Sequence, residues 1–244
     1  MMNDEPYRWL EAVANRREYI RDQLKGATPV FAFSRPEGIL LVGVGTGSSK
    51  VFEIYDRLAL AALGHPVDIE KIRQTVIEAA HMEGFTRSPE DVTLRRLLNF
   101  SLGPALKTSF EQIIAAPIIV ECVFAELAPT PAQDVLARVS FDGTYRFEGT
   151  GVVVVHTHPP DEAAATTWLR EQLRNDLSLG AVQRLAIAAW RALTAGQPFV
   201  PPALDDTQDL ALSMEDGRGL ETALLDRRTT ARVRYRAVQP AELP

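Results

Sequence analysis

The sequence predicts an α+β fold: a four-layer αββα sandwich, in which two β-sheets pack face to face between two layers of helices, preceded by an N-terminal helix. Two observations support this prediction. Runs of strands alternate with pairs of helices, which favours antiparallel sheets covered by helices. No internal repeat, low-complexity tract or linker divides the 244 residues, so we expect a single domain over residues 1–244.

An amphipathic helix is predicted ahead of the first strand. Apolar residues recur at helical spacing over residues 7–25, among Arg and Glu side chains. Gly26 is a natural stop for this helix, and Pro29 prevents the helix from continuing into the strand that follows. We therefore place the N-terminal helix at residues 7–25 and the sandwich at residues 29–238.

Two β-hairpins are predicted next. The first joins a strand that begins at about Val30 to residues 39–43, around a turn at residues 34–38. The second joins the alternating residues 50–55 to the apolar residues 58–63. Two consecutive hairpins are expected to form one layer of sheet.

Two helices follow these hairpins. Residues 67–82 carry apolar side chains at helical spacing. Ser88, followed by Pro and Glu, is a standard helix start, and the second helix extends from there to about Ile114. Gly103 and Pro104 are expected to kink this helix or to mark a break in it.

Strands, a second helix pair and final strands complete the chain. Asp142-Gly143 is a strong hairpin signal. The four strands around it are predicted at residues 118–127, 134–141, 145–147 and 152–155. The two helices are predicted at residues 161–177 and 178–194. A Pro- and Asp-rich loop at residues 197–209 precedes closing strands near residues 210–214, 220–225 and 232–238.

Composition limits the possible partners and the compartment. The net charge of −6 argues against a general nucleic-acid or membrane-surface protein, because both partners require a basic face. A single cysteine, Cys122, lies in an apolar run, which excludes a disulfide framework and is compatible with a reducing cytoplasm. No segment has the length of a membrane span or the core of a signal peptide. We expect a cytoplasmic protein with no nucleic-acid or membrane partner.

The element order and several residue runs resemble the proteasome fold, and within it the alpha-type subunit of bacterial proteasomes. The longest match is Lys-Val-Phe-Glu-Ile-Tyr-Asp-Arg at residues 50–57, which is similar to the family's Lys-Ile-x-x-Leu-Tyr-Asp-Arg and continues to Gly64. The resemblance covers nearly the whole chain. Shorter matches occur at Ala32-Phe33, residues 37–40, residues 91–93, residues 141–143 and residues 220–226.

The family that the chain resembles contains catalytic beta-type subunits and non-catalytic alpha-type subunits. A beta subunit attacks with an N-terminal threonine whose free amine handles the proton, assisted by a lysine and an acid. Thr28 falls at the threonine's place and Lys50 at the lysine's place. However, Ala27 stands where self-cleaving precursors keep glycine, Pro29 follows Thr28, and Val44 stands in place of the acid. Thr28 is therefore not expected to act as a nucleophile.

The predicted helix at residues 7–25 favours the alpha type independently, because beta subunits lose their N-terminal segment to expose the nucleophile. The resemblance implies that the residues before this helix gate a pore. The Tyr-Asp-Arg gating motif of archaeal and eukaryotic relatives is absent. The predicted gate consists of Met1, Met2, Asn3, Asp4, Glu5 and Pro6.

The resemblance also assigns an activator-binding role to Lys50. Alpha subunits keep a lysine here, in the pocket between neighbouring subunits, where it pairs with the C-terminal carboxylate of a docking activator. Gly64 would line the same pocket. The simpler alternatives are a solvated strand-edge lysine and an ordinary turn glycine.

His156 and His158 lie on one side of an extended segment, which suggests a metal site. No third ligand is evident nearby, so a turn capped by Thr157 and Asp161 is the preferred interpretation. We expect no metal and no cofactor.

The resemblance therefore implies a non-catalytic, gating subunit of a protein-degrading complex. Its implied partners are further copies of itself in a heptameric ring, a proteasome beta-type subunit that carries out catalysis, a ring-shaped ATPase or other activator, and unfolded protein substrates in transit. Two alternatives remain. One is an N-terminal threonine hydrolase matured by cleavage before Thr28, and the other is a proteasome-related homomeric ring.

Overall fold

The two predicted sheets are present in a computed structural model, which describes residues 5–45, 47–195, 198–203 and 219–238. The first sheet has the strand order β10-β9-β2-β1-β8, and all of its neighbouring pairs are antiparallel. Its strands are β1 (Val30–Arg35), β2 (Gly38–Gly45), β8 (Val152–Val155), β9 (Gly219–Asp226) and β10 (Tyr235–Ala237). The strand predicted at residues 210–214 lies outside the described residues.

The second sheet has the order β3-β4-β5-β6-β7 and is also antiparallel. Its strands are β3 (Val51–Tyr55), β4 (Leu58–Gly64), β5 (Val120–Glu126), β6 (Val135–Ser140) and β7 (Tyr145–Glu148). The prediction that the first two hairpins form one layer is wrong, because β1 and β2 belong to one sheet and β3 and β4 to the other. The second edge of β2 pairs with β9 and is thus unavailable to β3.

Helices cover the outer face of each sheet, which gives the predicted four layers. The second sheet carries α2 (Pro66–Thr86), α3 (Leu94–Leu97) and α4 (Gly103–Glu111), and the first carries α5 (Pro159–Gln172) and α6 (Leu179–Thr194). Alternation along a strand divides its side chains between the two faces. In β1, Phe31 and Phe33 pack under α5 and α6, whereas Val30 and Ala32 face the other sheet.

The N-terminal helix α1 (Glu5–Leu24) closes one end of the space between the sheets. It begins two residues before the predicted position. Ile20 and Leu24 are buried in the inter-sheet core. The Arg16 guanidinium donates hydrogen bonds of 2.8–3.3 Å to three backbone carbonyl oxygens. One belongs to Ser109 in the last turn of α4, and the other two belong to Ile113 and Ala115, which follow the helix. The last turns of α1 are thus an integral part of the fold.

The predicted helix start at Ser88 is wrong. Residues Pro89–Asp91 form only a 3₁₀ turn, and α3 begins after Thr93, whose hydroxyl accepts a hydrogen bond from the Arg96 backbone N–H at 3.4 Å. The Ser88 hydroxyl donates to the Asp91 carboxylate at 3.2 Å instead of capping a helix. The Ser88 hydroxyl is thus used within the 3₁₀ turn, and the helix itself is capped by Thr93.

A π-helical turn at Leu98–Leu102 joins α3 to α4, immediately before Gly103-Pro104. Proline lacks the N–H that would continue the α-helical ladder, and a widened turn accommodates its ring. The expected irregularity at this dipeptide is therefore confirmed. The helix ends at Glu111 rather than at Ile114. Among the described residues, the helices are too short or too polar to cross a bilayer.

Candidate functional site

Thr28 lies between the end of α1 and the start of β1, beside the end of β2. Its hydroxyl donates a hydrogen bond of 2.5 Å to the backbone carbonyl oxygen of Val44. The residue is joined on both sides by peptide bonds, to Ala27 and to Pro29. The hydroxyl is thus held by a neutral carbonyl group, which cannot take up its proton.

Lys50 lies directly before β3, and its side chain crosses β2 to reach Thr28. The Lys50 Nζ donates to the carbonyl oxygen of Thr28 at 3.2 Å. Gly43 and Gly45 make this path possible. A Cβ atom on Gly43 would stand 3.0 Å from the Lys50 Cβ, and one on Gly45 would stand 3.3 Å from the Lys50 Cε. The structure therefore brings together Thr28 and Lys50, as the sequence predicts.

The ammonium group of Lys50 is poorly solvated. Burial lowers the pKa of Lys50 to about 8, and the nearby negative charge of Glu221 opposes part of this shift. Within the described part of the chain, no carboxylate forms a salt bridge with Lys50. A desolvated cation whose partner is a neutral carbonyl gains free energy from an incoming anion.

Glu221 is a residue of this site that the sequence did not indicate. Its Oε2 accepts hydrogen bonds from two successive backbone N–H groups, those of Lys50 at 2.6 Å and of Val51 at 3.0 Å. Val44 has no acidic neighbour within two residues in the chain. The carboxylate that lies next to Lys50 comes from β9, where Glu221 pairs with Gly43 of β2. Only the pairing of β9 with β2 could have pointed to it.

Gly64 ends β4 with a backbone φ of +135°. A Cβ atom there would stand 2.2 Å from the carbonyl oxygen of Ile119, a separation that real Cβ atoms do not reach. This geometry supports the interpretation as a turn glycine. Gly64 lies two residues along β4 from Ala62, whose N–H donates to the Lys50 carbonyl oxygen at 2.9 Å. A role of Gly64 in activator binding stays a prediction.

His156 and His158 lie with Thr28 and Asp161 on the lining of a cavity of about 580 Å³. The Nδ1 of His158 and the Oδ2 of Asp161 are 2.9 Å apart. His156 is buried, which lowers its pKa, and its Nδ1 has no hydrogen-bond partner. In the described ranges, no three His, Cys, Asp or Glu side chains are grouped to hold a metal ion.

The predicted cap of this turn differs in the structure. His158 is the residue before α5, and its side chain makes no capping hydrogen bond. Asp161 accepts the Phe199 backbone N–H at 3.0 Å and so anchors the segment after α6. Thr157 lines the cavity instead of capping the helix. The interpretation of Thr157 as a cap is therefore wrong, because the residue that precedes α5 is His158, one position later in the chain.

A buried ionic network lies next to His156. Arg138 forms ion pairs with Glu162 and, at 3.3 Å, with Glu121. Glu162 also accepts the His156 backbone N–H at 2.9 Å, and Ser140 donates to Glu121 at 2.9 Å. Burial raises the pKa of Glu121 to about 7. These contacts tie β5 and β6 to the start of α5, while the Arg138 Nε is buried without a hydrogen-bond partner.

The predicted gate falls mostly outside the described residues. Met1, Met2, Asn3 and Asp4 lie there, whereas Glu5 and Pro6 are the first two residues of α1. Two of the six predicted gate residues are therefore helical, and the gating role of residues 1–6 stays a prediction.

The chain is similar to proteins named proteasome subunit alpha. The protein from Frankia casuarinae is 31% identical over 233 residues, which cover 95% of this chain and 91% of that protein. The protein from Actinosynnema mirum is 32% identical over 203 residues, which cover 82% of this chain and 74% of that protein. The protein from Streptomyces avermitilis is 28% identical over 235 residues, which cover 96% and 85%. No family model matches the chain.

Proposed function

Since the chain belongs to the family of proteasome alpha subunits, we propose that it is a non-catalytic subunit of a proteasome core particle, whose ring admits protein substrates and binds an activator. The observation that carries the proposal is the arrangement of Thr28 and Lys50. The Thr28 hydroxyl donates to the Val44 carbonyl oxygen, and the Lys50 ammonium donates to the Thr28 carbonyl oxygen. Both groups are thus used in ways that do not form a nucleophile and its base.

The segment before Thr28 supports the non-catalytic assignment. A threonine nucleophile of this class needs a free amine, and cleavage before Thr28 would remove α1. Ile20 and Leu24 contribute to the inter-sheet core, and the Ala27 N–H donates to the Leu24 carbonyl oxygen at 3.0 Å. Removal of two fully buried apolar side chains costs about 3–6 kcal/mol. Retention of α1 is therefore favoured, and catalysis belongs to a beta-type partner.

Lys50 is the proposed anchor for the C-terminal carboxylate of an activator tail, with Gly64 lining the same pocket between neighbouring copies. Its ammonium is desolvated and has a neutral hydrogen-bond partner, so a carboxylate would form a charge-assisted hydrogen bond of the strong kind. The half-buried position of Lys50 leaves part of the side chain open to solvent.

The remaining assignments follow from the same proposal. Copies of the chain form a heptameric ring in the cytoplasm, and residues 1–6 gate its pore. The ring stacks on a ring of beta-type subunits, a ring-shaped ATPase or other activator docks on the outer face, and unfolded proteins pass inward to be degraded.

The pH dependence of tail binding tests the docking role. A short peptide copied from the activator's C-terminus, with a free carboxylate, should bind most tightly while Lys50 is protonated. The pKa of Lys50 without bound peptide is about 8. The affinity of the ring for the peptide should therefore be constant below pH 7 and fall about tenfold for each pH unit above 8, because the ammonium loses its proton. Fluorescence anisotropy of the labelled peptide against the assembled ring measures the affinity from pH 6.5 to 9.5.

Two controls make the result specific. The same peptide with a C-terminal amide should bind weakly at every pH, since it offers no charge to the ammonium. The variant Lys50→Met keeps most of the side-chain length but cannot ionise, and its weak binding should not change with pH. Equal affinity of the parent ring at pH 6.5 and 9.5 would rule out the ammonium as the anchor.

A further inference from the structure

We propose that Glu221 is the positioning residue for Lys50: its carboxylate holds the start of β3 so that the lysine side chain lies across β2 toward Thr28. The proposal rests on the proposed docking function, which it deepens by naming the residue that sets the anchor in place. Glu221 lies on β9 of the first sheet, whereas β3 is the edge strand of the second. The Glu221 side chain therefore joins the two sheets at the residue that precedes β3, next to Tyr235 of β10, whose hydroxyl donates to the Val51 carbonyl oxygen at 3.3 Å.

The direction of the Glu221 side chain follows from strand periodicity. Along β9, Ala223 and Leu225 face the inter-sheet core, and Glu221 shares their parity. The intervening Thr222 faces the other way and accepts a hydrogen bond from Gln183 of α6 at 2.8 Å. Glu221 is thus placed by β9 on the face that looks toward β3, and it needs no special backbone conformation to do so.

The hydrogen bond between Glu221 and the start of β3 is bifurcated, because one carboxylate oxygen accepts two adjacent backbone N–H groups. The distances are 2.6 Å to Lys50 N and 3.0 Å to Val51 N. Charge-assisted hydrogen bonds of this type are about twice as strong as neutral ones. Val51 also pairs with Ala61 of β4, so fixing its N–H fixes the first residue of the strand. The Lys50 Cα is thereby held in the position from which its side chain crosses Gly43 and Gly45 of β2.

Three fixed points then define the position of the ammonium. Glu221 and the Ala62 N–H hold the backbone of Lys50, the absent side chains of Gly43 and Gly45 leave space for its methylenes, and the Thr28 carbonyl oxygen holds its Nζ. Loss of the Glu221 carboxylate would free both N–H groups and leave this segment held only through its carbonyl oxygens, so the β2–β3 connection would be able to shift away from β9. The ammonium would then sample many positions, and ordering it again would weaken tail binding.

The test compares three variants of the co-assembled particle. Glu221→Ala removes the acceptor, Glu221→Gln keeps an acceptor oxygen without the charge, and Glu53→Gln removes one exposed carboxylate from β3 as the control for net charge. Glu221→Ala should speed hydrogen exchange at the amides of Lys50 and Val51 and raise the half-saturating activator concentration, each about tenfold. The maximal stimulated rate at saturating activator should not change. Glu221→Gln should show an intermediate effect, and Glu53→Gln none.

The outcomes separate this inference from the docking function. Lys50→Ala is measured in parallel. If Lys50→Ala loses tail binding while Glu221→Ala binds like the parent, the positioning role is overturned and the docking function stands. If Lys50→Ala binds like the parent, the docking function fails, and the exchange rates at Lys50 and Val51 alone decide whether Glu221 holds the strand. Where Glu221→Ala does not assemble, Glu221→Asp withdraws the carboxylate by one methylene and should raise the half-saturating concentration in the same direction; an unchanged value would overturn the inference.

Discussion

Replacement of Lys50 by alanine should remove most of the activator-stimulated protein degradation of the assembled particle. The ammonium is desolvated, donates to the Thr28 carbonyl oxygen and has no salt-bridge partner within the described residues, so its charge is available to a tail carboxylate. Loss of one charge-assisted hydrogen bond at a desolvated site costs about 1.5–3 kcal/mol, or roughly a 10- to 100-fold loss of tail affinity. The measurement is the rate of substrate degradation against activator concentration.

The matched control is Lys71→Ala, which removes an exposed lysine of α2. Both variants lose one positive charge, but only Lys50 is proposed to meet the tail. Unstimulated hydrolysis of a small peptide should be the same in the parent and in both variants, because we propose that this activity belongs to a beta-type partner. Full stimulation in Lys50→Ala would contradict the docking role.

Replacement of Gly64 by alanine should be the most destabilising single change at this site. The backbone φ of +135° is unfavourable for an L-residue, and the added Cβ would stand 2.2 Å from the Ile119 carbonyl oxygen. Backbone strain and the displacement of β5 should together lower the free energy of unfolding by about 3–5 kcal/mol. Urea unfolding of the chain, followed by circular dichroism, measures the difference.

Gly26→Ala is the control for the strain alone. Gly26 also has a positive φ, of +83°, but no atom lies within 4 Å of a Cβ added there. Its replacement should cost about 1–2 kcal/mol. Equal losses in the two variants would show that β4 and β5 do not approach as closely at Gly64 as described.

Elements with local signals could be predicted from the sequence. The strand at residues 152–155 was predicted with its observed bounds because four consecutive valines are bounded by turn residues. Ser178 was placed at the start of a helix, and its hydroxyl accepts the Ala181 N–H at 3.2 Å. In both cases the information lies within a few residues, so no knowledge of the tertiary structure was needed.

Features that depend on strand pairing could not be predicted. The alternation in β1 to β4 identifies two hairpins but does not say which sheet each one joins. The contact of Glu221 with Lys50 could not be predicted for the same reason. It forms only because β9 pairs with β2, and the two strands are about 180 residues apart in the sequence. The positions of Thr28 and Lys50 came from resemblance to a family, and their contact came from the structure.

The intact mass of the chain, isolated from an active complex with a beta-type partner, distinguishes a non-catalytic subunit from a self-cleaving protease. We expect residues 1–27 to remain attached to Thr28, and the complex to hydrolyse peptides still when Thr28 is replaced by alanine. Ala27 and Pro29 flank the residue, and the α1 side chains Ile20 and Leu24 are buried in the core. A chain that begins at Thr28, with hydrolysis abolished by Thr28→Ala, would identify this subunit as the protease and rule out the non-catalytic role.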